Sequence, residues 1–117
     1  MVVINFVLTV SFHIREVNKE VEAQRQKIIN EAQVQADKII SEAKKLADKT
    51  REEANKNGQK LIDEAGSNFL KKKTAEAAAG KIRDEGEKAA QKIENEAQTR
   101  ADNLMKKARE NASKIGI

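Results

Sequence analysis

The 117-residue chain has no cysteine, proline, tryptophan or tyrosine, and only three phenylalanines, five glycines and one histidine. Lacking cysteine, it can form neither a disulfide staple nor a thiolate, and its redox compartment stays open. Lacking proline, it has no residue that breaks a helix interior outright. Aromatic residues are 3% and charged residues 36% of the chain, too little apolar bulk for a compact globular core. There is no second histidine, no glycine-rich phosphate loop after a strand, and no acid pair that stands out among many solvated carboxylates. These absences predict a non-enzyme with no cofactor, metal or small-molecule substrate.

What is abundant is Ala, Lys, Glu, Gln and Ile, the palette of long helices. The net charge is +4, with 11 basic and 11 acidic side chains over residues 15–65 and 12 basic against 8 acidic over 66–117. So mild an excess serves solubility, and no aromatic residue interleaves the lysines, which argues against a nucleic-acid partner. The one dense basic run, Lys71, Lys72 and Lys73, reads as a solvated face.

The opening "MVVINFVLTVSFHI" sets Val2, Ile4, Phe6, Leu8, Val10, Phe12 and Ile14 on one parity and Asn5, Thr9, Ser11 and His13 on the other. Period two predicts a half-buried strand over residues 1–14. A signal peptide would want basic residues ahead of the apolar run, and a spanning helix about 20 apolar residues, so both fit less well than a strand; the alternatives to the strand are a short membrane anchor and a helical extension or disorder. A lone strand needs a covering edge, so Val2, Ile4, Phe6, Leu8, Val10 and Phe12 are expected to dock on a sheet, supplied by another copy or by the rest of a longer protein. His13, on the polar parity, is a solvent-facing residue.

From Lys27 the chain repeats every eleven residues: KIINEAQVQAD, KIISEAKKLAD, KTREEANKNGQ, KLIDEAGSNFL, then after a gap KIRDEGEKAAQ, KIENEAQTRAD and NLMKKARENAS. The second place carries Ile28, Ile39, Thr50 and Leu61, then Ile82, Ile93 and Leu104. The sixth and tenth places are mostly alanine. In the first arm these are Ala32, Ala36, Ala43, Ala47, Ala54 and Ala65, and in the second Ala90, Ala97, Ala101, Ala108 and Ala112. Eleven residues in three turns is about 3.67 per turn, close to the straight helix, so the apolar stripe holds one face. The stripe is narrow and flat, which lets partner helices approach closely. Lys at the first place and Glu at the fifth make i,i+4 pairs of about 0.2–0.5 kcal/mol at best, a solvated face.

Lys60 to Lys81 spans twenty-one residues, one short of two units, so the register slips once. At the slip, Gly66 suits the left-handed position that ends a helix, and Ser67 or Asn68 the cap that begins the next. A turn at residues 66–68 would fold helix 1 (15–65) against helix 2 (69–117), with Phe69 and Leu70 sealing the bend. The rival arrangement is one continuous rod that dimerises through the same stripe. Gly58, Gly80 and Gly86 are soft points, each costing up to about 1 kcal/mol against alanine.

Residues 27–48 and 92–112 resemble the eleven-residue stalk helices of rotary ATPases. With "VVINFVLTVSFHI" passing straight into "REVNKEVEAQRQKII", the chain resembles more closely the Ala/Lys/Glu-rich helical tails of bacterial AsmA-like envelope proteins. Either resemblance implies a non-catalytic structural element, and the second implies the C-terminal piece of a larger protein of the bacterial cell envelope, periplasmic or membrane-associated. The expected fold is therefore all-α, two long helices as an antiparallel hendecad coiled-coil hairpin preceded by one N-terminal β-strand. The expected function is a scaffold, spacer or protein–protein interaction module that self-associates or meets a partner helix or sheet edge. Two alternatives are an amphipathic helix in contact with a membrane surface and a desiccation-type protective protein resembling the late-embryogenesis-abundant class.

Overall fold

The computed structural model describes residues 2–116, with side chains from Val17 onward. The described residues form two helices, α1 (Val2–Ala65) and α2 (Phe69–Ser113), with no strand among them. The all-helical class follows from a composition rich in strong helix formers and free of proline. Two long helices joined by a short turn fit a helical hairpin.

The N-terminal strand is a correction. Residues 2–14 belong to α1, which runs without interruption to Ala65. Two physical reasons favour the helix. Val3 and Val7 break the alternation, and Val3, Phe6, Val7, Val10 and Ile14 have helical spacing as well. Extending an existing helix costs no new nucleation, and β-branched residues oppose it by only a few tenths of a kcal/mol each, whereas a strand would need an edge that the described residues do not provide. The side chains of Val2, Ile4, Phe6, Leu8, Val10 and Phe12, assigned to docking, lie outside the described ones.

Between the helices, Gly66 adopts φ +63° and its amide donates to the Asp63 carbonyl at 3.2 Å. The left-handed conformation costs glycine nothing and terminates α1. Asn68 then caps α2: its Oδ1 accepts from the Lys71 amide at 3.1 Å, and its carbonyl accepts from the Lys72 amide at 2.8 Å. One of the donors orphaned at a helix start is thereby satisfied by the side chain. Phe69 and Leu70 do not seal the bend, since they are 68% and 75% exposed.

The chain divides into two compact units, Met1–Ala36 with Asp102–Ile117, and Asp37–Ala101. In the first unit the end of α2 is held by Arg25, whose Nε donates to the Ile115 carbonyl at 3.1 Å, with Nη2 donating to the same oxygen. Gly116, at φ +84°, sits against Val21. The second unit contains the turn and the packed segments on either side of it.

Candidate functional site

The buried hydrophobic residues are all alanine except Met105: Ala32, Ala36, Ala47 and Ala54 on α1, and Ala79, Ala90, Ala97, Ala101, Ala108 and Ala112 with Met105 on α2. Gly58 and Gly86 are buried among them. Apart from Met105, every one occupies the sixth or tenth place of an eleven-residue unit. Ala79 joins the pattern once the second arm's register is carried back one unit, to Leu70, which also locates the one-residue slip at the turn.

Ala43 and Ala65, at the same places, are half-buried, as are the second-place residues Ile28, Ile39, Thr50, Leu61, Ile82, Ile93 and Leu104. The small residues thus form the contact and the branched ones flank it. A methyl-sized side chain lets helix axes approach to about 8 Å, the lower end of the usual range. Thr50 meets its hydroxyl's need internally, donating to the Leu46 carbonyl at 2.9 Å.

Two glycines mark close approaches between the helices of the second unit. A Cβ at Gly86 would collide with the Cβ of Ala54, and one at Gly58 would lie 3.3 Å from the Ala79 Cβ. Gly80, by contrast, faces open space. The expectation that all three are merely soft points is therefore corrected for Gly58 and Gly86, where the missing side chain permits the approach. The clue was available, since both occupy places where other units carry alanine.

One charged cluster crosses the helices within this unit. Arg51 Nε donates to Glu87 Oε2 at 2.8 Å and Nη2 to Glu87 Oε1 at 3.2 Å, a bidentate pair. Nη1 reaches Asp48 at 3.1 Å, and Nη2 also forms an ion pair with Glu94 Oε1. That Glu94 oxygen is buried, and the Arg51 guanidinium is the charge it faces. The hydrogen bond from Arg51, aided by the guanidinium charge and by Gln91, holds the Glu87 carboxyl below its ordinary range, while the same bond pushes Arg51 further up. Arg51 was not expected to matter, because the third place it occupies carries Ile29, Ile40 and Ile62 in the other units of α1 and looks apolar on average.

A shallow groove of about 380 Å³ runs beside the seam between Ile39, Ala43 and Leu46 on one side and Ile93, Ala97 and Arg100 on the other. Among the described residues no cluster of three His, Asp or Glu side chains is arranged to hold a metal ion, and no helix is long and apolar enough to cross a membrane.

The class this geometry defines is an all-α two-helix protein with an alanine seam. No family model, curated protein or solved structure matches the chain.

Proposed function

We propose that the chain is a non-catalytic helical scaffold or spacer, its arms folded back as an antiparallel coiled-coil hairpin in eleven-residue register. The observation that carries this is the makeup of the buried set: alanine at two fixed places of the repeat on both helices, with no charged or polar residue buried among the described ones. Residues so arranged hold two helices together by close packing of small side chains. The groove at Ile39 and Ile93, bordered by the exposed Leu46, suits a partner helix or a second copy. By its resemblance to AsmA-like tails, the chain would serve at a bacterial cell envelope.

The seam also weighs against a helix lying flat on lipid, because the apolar stripe such a helix would present is already committed to the contact. A desiccation-type protein would be unfolded alone in dilute buffer, whereas a closed seam predicts high helicity there by circular dichroism.

The test uses the absence of native cysteine. Spin labels on Lys44→Cys and Asn95→Cys, in a sample diluted with unlabelled protein, report on one cleft of the second unit. A closed hairpin gives about 20–35 Å, two adjacent helices plus label arms. A continuous rod gives about 76 Å, fifty-one residues at 1.5 Å rise, and would overturn the proposal.

A further inference from the structure

Residues 66–74, "GSNFLKKKT", are all exposed, carry three positive charges and contain no carboxylate. Elsewhere in the repeat, lysines have acidic residues of their own helix close on both sides, as Lys38 with Glu42 and Lys56 with Glu52, whereas this run has one carboxylate, Glu76, within a turn of it in sequence. Here no carboxylate of the described residues comes within ion-pair distance of Lys71, Lys72 or Lys73, and Lys73 instead places its ammonium 4.8 Å from the centre of the Phe69 ring. Phe69 and Leu70, the two most exposed large apolar side chains apart from Val34, stand side by side ahead of the lysines. An open groove of about 410 Å³ lined by Leu61, Leu70, Thr74, Ala75 and Ala78 continues their apolar surface.

We propose that the Gly66–Thr74 turn is a docking element for an anionic lipid bilayer, with Phe69 and Leu70 entering the interface and Lys71, Lys72 and Lys73 meeting the headgroups. Charge complementarity selects the occupant, because three consecutive lysines that form no ion pair among the described residues, with Glu76 the one carboxylate within a turn of them in sequence, favour a negative surface. Size decides between a bilayer and a protein. A specific protein interface uses about 20–30 residues a side, far more than this turn offers, whereas a bilayer interface accepts one aromatic and one aliphatic side chain flanked by cations. The element is independent of the seam, and the scaffold function stands or falls without it.

The chain has no native tryptophan, so Phe69→Trp introduces a single reporter into the full-length protein. On vesicles of phosphatidylcholine with a third phosphatidylserine, its emission should shift to the blue and be quenched by brominated acyl chains. Val34→Trp, exposed on α1, should not shift. Replacing all three lysines by glutamine should weaken vesicle binding about 100-fold, with unchanged helicity by circular dichroism. The proposal is overturned by no shift at Phe69→Trp, by equal binding to pure phosphatidylcholine, or by full binding of the triple glutamine variant. Equal shifts at both reporters would also overturn it, indicating a helix lying flat, and so would a shift with soluble heparin but not with vesicles.

Discussion

Arg51 and Glu94 occupy the same place, the third, of their respective eleven-residue units, and their side chains pair across the two helices of the second unit. A seam of alanines is nearly the same at every repeat, so burial alone tells the helices little about which unit should face which. The third place is different. On α2 it carries Arg83, Glu94 and Met105 in successive units, so sliding by one unit would bring Arg51 against another arginine or against a thioether. The pair therefore selects register by penalising its neighbours, as polar residues do in coiled-coil cores.

Replacing both residues by isoleucine, as at the third place of the other α1 units, should change the melting temperature little, because apolar substitutes for a partly buried ion pair are commonly neutral or better and offset the loss of the more exposed Arg51–Glu87 pair. Register should suffer instead. The distance between labels at Lys44 and Asn95 should acquire a second population, displaced along the helix by about 16 Å, one unit at 1.5 Å per residue. A single sharp distance in the double variant would assign register to some other feature.

Gly86 and Gly80 should respond oppositely to alanine. At Gly80 the new methyl enters open space, and the better helix former should stabilise by about 0.5–1 kcal/mol. At Gly86 the methyl meets the Ala54 Cβ, and overpacking of about 1–3 kcal/mol outweighs the gain in propensity. Urea midpoints of the two variants, falling on opposite sides of the wild type, would check the close approach. Equal stabilisation would mean that the helices do not meet there.

How much of this was legible in the sequence depended on whether the repeat or its exceptions carried the information. The helical class and the position of the break could be read because the eleven-residue period is close to that of a straight helix and "AGSN" combines a stop with a cap. The small places of the seam were visible for the same reason. Ala79 was hidden because the register changes at Leu70, one residue early. Arg51 was hidden because the other units of α1 carry isoleucine at the third place. The opening segment was misjudged because an alternating apolar run satisfies both periods when Val3 and Val7 are also apolar, and the continuing helix decides between them.

The turn should be sensitive at two residues for different reasons. Gly66→Ala forces a Cβ into the left-handed region and should cost about 1 kcal/mol although nothing lies within 4 Å of it. Asn68→Ala removes the acceptor of the Lys71 amide and should cost about as much, while Asn68→Asp or Asn68→Ser should retain most of the stability. Chemical denaturation of the four variants separates the effects. If Asn68→Ser lost as much as Asn68→Ala, the cap would not be the reason.

Glu87 supplies a pH dependence whose sign is fixed. Its carboxyl is held below its ordinary value of 4.5 by the hydrogen bond from Arg51. A depressed carboxylate adds stability above the unfolded-state value, and that stability is lost as pH falls through the folded-state value. The melting temperature of Glu87→Gln should therefore lie below the wild type at neutral pH, with the two converging as pH drops below about 4. High salt should narrow the neutral-pH gap as well, since the pair is partly exposed. A gap that persisted in acid would point to packing by the glutamate side chain in place of its charge.

At the other end of α2, the cap on the last turn is supplied by a distant residue. Arg25 is ninety positions from Ile115, yet both its Nε and its Nη2 donate to that carbonyl, satisfying an acceptor that a helix C-terminus leaves open. The local hydrogen bonds there, Lys114 to Asn111 and Ile115 to Ala112, are both 3.2 Å, the three-residue type that frays readily. Arg25→Ala should therefore raise amide hydrogen exchange at Lys114 and Ile115 about fivefold or more, in keeping with about 1 kcal/mol for a partly exposed charged hydrogen bond. Amides near Ala90 in the middle of α2 should be unaffected. Arg25→Lys, which keeps the charge but loses the two-nitrogen fork, should fall between the two, and the exposed neighbour Gln24→Ala should do nothing. Should Gln24→Ala loosen the same amides as strongly, the effect would belong to the α1 surface in general and the cap would lose its claim.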